Sequence, residues 1–130
     1  MSNSVLLKNC IEKKGIVKVC GAFDAMSAKL VENVGFDAVW AGSFAISATH
    51  ALPDASILTM TEFLDATTRM VESCNIPITA DCDTGYGGPS NVARLVKKYE
   101  NAGVAAVSIE DKIFPKENSL LDNGKNELLP

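Results

Sequence analysis

Short apolar runs alternate along the chain with longer segments of helical periodicity. Four runs read as strands: Val17 to Ala22, Ala38 to Gly42, Ile78 to Asp81 and Ala105 to Ile109. Each is nearly continuous in apolar character, the pattern of parallel strands covered by helices on their faces. Between them the spacing predicts helices. Asp24 can cap one from about Ala25 to Val34, and Thr59-x-x-Glu62 is a candidate capping box for a second that runs to about Ser73. A third is expected after Ser90 or Asn91, with Val92, Leu95, Val96 and Tyr99 at i, i+3, i+4 and i+7 forming one apolar stripe. Residues 4–14 predict an additional helix ahead of the first strand.

A local repeat supports this segmentation. Glu32-Asn33-Val34-Gly35-Phe36, Glu72-Ser73-Cys74-Asn75-Ile76 and Glu100-Asn101-Ala102-Gly103-Val104 each lead into a short apolar run. Gly or Asn at the fourth place suits a helix terminus in the left-handed region, after which the chain can begin a strand. Alternation of helix, tight turn and strand gives an α/β fold with a parallel sheet. Four strands could open a doubly wound sheet or supply half of a (β/α)₈ barrel, which takes about 250 residues when complete. The periodicity leaves both open.

Composition narrows the partners. The chain has 130 residues, 47% of them hydrophobic and 22% charged, with a formal net charge of -4, which describes one folded domain without the basic stripe of a nucleic-acid binder. Cys10, Cys20, Cys74 and Cys82 form no C-x-x-C pair, and His50 is the one histidine, so no zinc-finger spacing exists. The first residues lack the charged and apolar regions of a signal peptide, and no run approaches the roughly 18 to 20 apolar residues of a membrane span. A soluble cytoplasmic protein is the expectation.

Polar residues gather where the predicted strands end: Gly42-Ser43, then Asp81-Cys82-Asp83, then Glu110-Asp111-Lys112. That rim holds the active site in barrels and open α/β sheets alike. If the third strand is still extended beyond its end, Asp81 and Asp83 share a face and Cys82 points away. Glu110 from the next strand adds a third acid, an arrangement that is costly unless a cation neutralises it. Mg²⁺, a hard ion that takes oxygen ligands, is the expected cofactor. Taken singly, Asp-x-Asp and Asp54 after Pro53 are more common as turn or cap residues, and Gly85-Tyr86-Gly87-Gly88 fails the phosphate-loop spacings and reads as a turn into the third helix.

These motifs together resemble the phosphoenolpyruvate mutase and isocitrate lyase superfamily. Asp81-Cys82-Asp83-Thr84-Gly85-Tyr86-Gly87-Gly88 is similar to its D-x-D-T-G-Y-G metal-site signature. Gly21-Ala22-Phe23-Asp24-Ala25 with Ser27-Ala28, Trp40-Ala41-Gly42-Ser43 and Asp54 fall in the corresponding places, so the resemblance covers nearly the whole chain. Glu110-Asp111-Lys112 followed after five residues by Asn118-Ser119 resembles the gating loop of the mutases in this superfamily. The lyases carry K-K-C-G-H there, and this chain has no such motif.

The resemblance implies a (β/α)₈ barrel of TIM type, with residues 1–130 forming the N-terminal half of that single domain and about its first four strands. It implies Mg²⁺ held by Asp81 directly and by Asp54, Asp83 and Glu110 largely through water. Gly42, Ser43 and Phe44 would offer backbone N–H groups to a substrate carboxylate, although mutases read S-G-L at that turn. Lys116, Asn118 and Ser119 would lie on the loop that closes over a phosphoryl group, with Asp54, Lys116 and Asn118 in catalytic roles. The activity implied is Mg²⁺-dependent interconversion of phosphoenolpyruvate and phosphonopyruvate in a homo-oligomer, the carbon–phosphorus bond-forming step of phosphonate biosynthesis. Phosphonopyruvate hydrolysis and carbon–carbon lyase chemistry on a 2-oxo acid or malate-like substrate are the alternatives within the superfamily. Asn118, absent from the hydrolases, favours the mutase. A noncatalytic half barrel that pairs with a complementary chain is the alternative of another class, because the superfamily's phosphoryl-gripping Arg and His belong to later strands.

Overall fold

A computed structural model of the chain describes residues 2–118 and residue 128. Its elements, in chain order, are α1 (Asn3–Lys14), β1 (Val19–Ala22), α2 (Ala25–Val34), β2 (Ala38–Ala41), α3 (Ser43–Thr49), α4 (Met60–Ser73), β3 (Ile78–Asp81), α5 (Pro89–Asn101) and β4 (Ala106–Ser108). The sheet order is β1-β2-β3-β4 and every pairing is parallel, so each strand lies beside its predecessor. This is the expected βα alternation, in the sequential order of an opened barrel rather than the reversing order of a doubly wound sheet.

The predicted caps form. Asp24 accepts from the Ser27 N–H at 2.7 Å, and Ser27 Oγ accepts in return from the Asp24 N–H at 3.1 Å. Thr59 and Glu62 make the second box, with the Glu62 carboxylate accepting from the Thr59 N–H at 2.7 Å. Two of the three repeated turns end as expected, with Gly35 at φ 92° and Gly103 at φ 84°. Asn75 differs. Cys74 is already extended at φ −119°, the Ser73 hydroxyl donates to the Met70 carbonyl at 2.9 Å, and the Asn75 N–H donates to Glu32 Oε1 at 2.8 Å. Side-chain partners close that helix without a left-handed residue.

The third predicted helix, α5, begins one turn earlier than Ser90 or Asn91 suggested. Gly88 is its N-cap and Pro89 its first residue, where the missing proline N–H has no helical partner to lose. Asn91 reaches back from the third position to accept from the Gly88 N–H at 3.1 Å. The apolar stripe is narrower than expected: Leu95 and Tyr99 are buried, whereas Val96 is 43% exposed and lines a shallow depression with Val104, Ala106 and Val107 along edge strand β4.

The core lies between the sheet and α2, α3, α4 and α5. One cluster joins Ala28, Val31, Val39, Ile46, Phe63, Met70 and Ile78, and a second joins Ala80, Cys82, Leu95, Tyr99 and Val104. Across the opposite sheet face, Val19, Gly21, Trp40, Thr79 and Ala106 line a groove bordered by Leu7 and Ile11 of α1. Helix α1 buries none of its residues fully; it is tied down by Asn3, which donates to the Gly103 carbonyl at 2.6 Å, and by the Lys14–Asp37 ion pair. Among the described residues, no helix is long and apolar enough to cross a membrane.

Candidate functional site

The strand ends bring the predicted acids together, though not by the route the spacing implied. Strand β3 stops at Asp81, and Asp83 is not extended: its φ is 46°, in the left-handed region that a non-glycine residue enters at a cost. That turn swings Asp83 back so that its own N–H donates to Asp81 Oδ1 at 3.2 Å. Its carbonyl accepts the Glu110 N–H at 2.6 Å, which draws the residue after β4 onto the same rim. Cys82 points the other way, into the Leu95 and Tyr99 cluster, and burial pushes its thiol up to about 12. One ligand atom each from Asp81, Asp83 and Glu110 lies within 4.8 Å of the other two.

The turn that follows is closed against α5. A Cβ on Gly85, at φ 89°, would lie 2.5 Å from Val92 Cγ2, so glycine is required there for both conformation and space. Tyr86 stacks on Phe63 with ring centroids 5.6 Å apart, anchoring the turn to α4. Gly85 and Tyr86 thus make a packed junction with α5 and α4.

Helix α3 has no precedent in the hydrophobic pattern, yet it shapes the site. Gly42 caps it directly after β2, and Ser43 at its first position is fully buried. The Ser43 hydroxyl donates to Asp81 Oδ2 at 2.9 Å, and the Ser43 N–H reaches the same oxygen at 3.3 Å. The Gly42 N–H donates to the Ala22 carbonyl at 3.3 Å. In this conformation Gly42 and Ser43 therefore direct their N–H groups inward to protein acceptors, which differs from the expected carboxylate-binding turn. The Phe44 side chain is exposed.

Lys116 is the largest departure from expectation. Its ammonium is not poised above the pocket but buried among the acids, 3.0 Å from Asp54 Oδ2, 3.0 Å from Asp83 Oδ1 and 3.1 Å from Glu110 Oε1. The Lys116 side chain is 6% exposed, and its backbone N–H donates to Ser56 Oγ at 2.9 Å. Burial alone would lower its pKa; hydrogen bonds to Asp54 and Asp83, and the charges around it, outweigh that and hold it above the ordinary lysine value. Burial pushes the Glu110 carboxyl the opposite way, upward, but Lys116 and then Lys112 bring it below the usual glutamate range. Lys112 stands 3.3 Å from the other Glu110 oxygen. Asp54, expected beside the metal ligands, sits on the lysine side of the cluster. Asn118 is half-buried at the end of this loop, and Ser119 lies outside the described residues.

The cluster fits a hard divalent cation. Among the described residues, Asp54 Oδ1 and Asp83 Oδ2 are buried without a hydrogen-bond partner, and the candidate ligand atoms are all carboxylate oxygens. Ser43 was expected at the rim as a backbone donor to substrate, not as the side-chain partner of Asp81, and Ser56, which holds the Lys116 backbone, carried no signal in the sequence; a serine's role as a positioning donor shows only once its neighbours are known.

The family model described as Phosphoenolpyruvate phosphomutase matches residues 7–129. The chain belongs to this family. Phosphoenolpyruvate phosphomutase of Tetrahymena pyriformis is 44% identical over 124 residues, covering 95% of this chain and 41% of that protein. The 2,3-dimethylmalate lyase of Eubacterium barkeri is 41% identical, covering 90% and 41%. Among solved structures, the phosphoenolpyruvate phosphomutase from Streptomyces platensis subsp. rosaceus superposes with a TM-score of 0.93 at 46% identity, covering 98% of this chain and 44% of that one. A phosphonopyruvate hydrolase in complex with oxalate and Mg²⁺ gives a TM-score of 0.85 at 37% identity, covering 90% and 41%. The chain thus spans about two fifths of the length of these relatives, and its family includes mutase, hydrolase and lyase members. The parallel sheet in sequential order is the N-terminal portion of the fold it shares with them.

Proposed function

We propose that the chain contributes the cation-binding rim of a phosphoenolpyruvate mutase, an isomerase that interconverts phosphoenolpyruvate and phosphonopyruvate. The observation that supports this reading is the loop from Glu110 to Asn118, which places Lys116 against Asp54, Asp83 and Glu110 and then continues to Asn118. Asp81, Asp83 and Glu110 would hold Mg²⁺, with Asp54 beside them. The ion supplies positive charge that stabilises an enolate oxygen. Ser43 orients Asp81 through the Oδ2 hydrogen bonds, and the loop excludes water that would otherwise capture a loosely bonded phosphoryl group. Lys116, Asn118 and Ser119 are the loop's candidate contacts to that group, and Phe44 lies at the rim's edge.

The test is incubation with phosphonopyruvate and Mg²⁺, followed by phosphorus NMR. Phosphoenolpyruvate as product, lost in Asp81→Ala, is the expected result. Inorganic phosphate would identify a hydrolase instead, and pyruvate-type products from a malate-like substrate would identify a lyase.

A second reading rests on the open sheet. Strands β1 and β4 are both edges of the described sheet, and among the described residues the face carrying Val19, Trp40 and Ala106 is bordered by α1 alone. A chain supplying the remaining strands would cover it, in which case activity requires that partner and the isolated chain turns over nothing.

A further inference from the structure

Two hydroxyls behind the acid rim have no partner. Among the described residues, Tyr86 Oη and Tyr99 Oη are buried without a hydrogen bond, although leaving such a group dry and unpaired is costly. They belong to one place. Tyr99 of α5 is 1% exposed in the cluster that holds Cys82 and Leu95, and Tyr86 packs against the same cluster while its ring stacks on Phe63 of α4. Burial is the first cause that raises the pKa of all three groups, and Tyr99 acts on both of the others, so its hydroxyl lies within electrostatic reach of the Tyr86 hydroxyl and the Cys82 thiol. All three are protonated near neutrality, and each can donate one hydrogen bond. Their place in the chain gives the group a use. Cys82 lies between Asp81 and Asp83, and Tyr86 follows three residues after Asp83, which sits at φ 46°. The rim side of this turn is held by the Asp83 N–H on Asp81 and by the Glu110 N–H on the Asp83 carbonyl, and the Gly85 N–H donates to the Cys82 carbonyl at 2.9 Å. Its reverse side presents Cys82 and Tyr86 to the cluster that contains Tyr99.

We propose that Tyr99 is a positioning residue for the cation site: its hydroxyl bridges Tyr86 and Cys82, accepting from the Tyr86 hydroxyl and donating to the Cys82 sulfur, and so clamps the turn that carries Asp83 from behind. Small side-chain rotations bring the three groups into line, and the bonded arrangement is favoured because the alternative is two dry hydroxyls. A left-handed non-glycine residue persists where its surroundings over-determine it. The bridge supplies that determination. It ties residues on both sides of Asp83 to one helix, so the turn cannot relax toward an ordinary backbone conformation without breaking it. Tyr99 touches neither cation nor substrate and acts through the placement of Asp83 beside Asp81 and Glu110. Its consequence for metal affinity rests on the proposed cation-binding function of these acids; the clamp itself does not.

The test uses Mn²⁺ as the probe, titrated into the full 130-residue chain and followed by the electron paramagnetic resonance signal of the free ion. Tyr99→Phe keeps the ring and removes the bridge, and should weaken Mn²⁺ binding by roughly threefold or more. Cys82→Ala should weaken it similarly, and the double variant should be no weaker than either single one, since both cut the same link. Hydrogen exchange gives a second readout that needs no metal. The Glu110 amide, bonded to the Asp83 carbonyl at 2.6 Å, should exchange faster in Tyr99→Phe, while the Val39 amide, bonded to the Pro77 carbonyl at 2.9 Å, should keep its native rate. Equal acceleration of the two amides would mean general loosening of the fold and overturns the clamp, as does native exchange at Glu110. Unchanged Mn²⁺ affinity in a folded Tyr99→Phe overturns the positioning role. If the native chain binds no Mn²⁺, the cation-binding reading is lost, while the two amides still decide whether Tyr99 clamps the turn. Should Tyr99→Phe fail to fold, Cys82→Ala gives both readouts from the other end of the bridge.

Discussion

Ser43 and Asp81, at the ends of adjacent strands, are joined by two hydrogen bonds to a single oxygen, 2.9 Å from the serine hydroxyl and 3.3 Å from its backbone N–H. The pair fixes the rotamer of the one acid that strand β3 itself presents. Partners of this kind tune metal affinity without touching the metal. Ser43→Ala should weaken Mn²⁺ binding by roughly tenfold, the lower end of the range for such partners. Ser43→Thr should recover part of it. Equal affinity in Ser43→Ala, by the same titration, would mean that Asp81 is held well enough by its backbone.

Acid should destabilise the metal-free chain through carboxylates held below their usual range, Asp24 and Glu110 among them. Asp24 is held below the usual aspartate value chiefly by the Ser27 N–H, and Glu110 falls below the glutamate value because Lys116 and Lys112 outweigh burial. Both have a folded pKa below the unfolded one, so their contribution is present above the unfolded value and is lost as pH falls through the folded value. Urea midpoints should therefore be flat near neutrality and fall below about pH 4.5. Lys116 works at the other end. Its pKa is raised, so its contribution is complete below the ordinary value of 10.5 and declines only in more alkaline solution. Lys116→Met should flatten the acid limb by the share of the Glu110 shift that Lys116 supplies, leaving the share from Lys112.

The junction between the rim and α5 predicts a strained substitution and a partial rescue. Gly85→Ala places a Cβ 2.5 Å from Val92 Cγ2 and forces alanine to φ 89°. Thermal denaturation should show a loss of at least ~1–2 kcal/mol from the left-handed backbone alone, with the clash in addition. Gly85→Ala combined with Val92→Ala should recover the clash and leave the backbone cost. A double variant no better than the single would show that the whole effect is conformational.

Burial separates two methionines sharply. Met70 is 0% exposed inside the larger core cluster, whereas Met26 is 69% exposed on α2. Met70→Ala should cost about 2–5 kcal/mol in urea unfolding, and Met26→Ala no more than about 0.5 kcal/mol. A comparable loss at Met26 would indicate that α2 is covered in solution.

Strand and helix identities were legible because apolar runs and capping boxes act locally: Asp24 with Ser27 and Thr59 with Glu62 form their bonds within one turn. The acids of the rim were legible too, since strand ends converge in any parallel sheet. What escaped was the geometry that depends on distant neighbours. Helix α3 has seven residues of Ser, Phe, Ala, Ile and Thr, too short to show a period, and it exists because β2 delivers Ser43 to Asp81. Asp83 was expected to share a face with Asp81 by strand alternation; it does so by leaving the strand. Lys116 was placed on a loop near substrate because nothing in its local sequence reveals that Asp54, 62 positions earlier, and Asp83, 33 earlier, wait for it. Ser119, expected on the same loop, lies outside the described residues.

The sequential strand order also sets a timetable. Because β2 docks on β1, β3 on β2 and β4 on β3, the sheet can grow by adding each strand to the free edge left by the one before it, in the same direction that a ribosome releases the chain. Asp81 and Asp83 precede Glu110 along the chain, and Glu110 reaches them only through β4, which pairs with the edge that β3 leaves. Lys116 follows Glu110 by six residues, so the third acid and its counter-charge belong to one short segment. The acid cluster is therefore complete only once β4 stands beside β3, on a sheet whose helix-covered face is apolar.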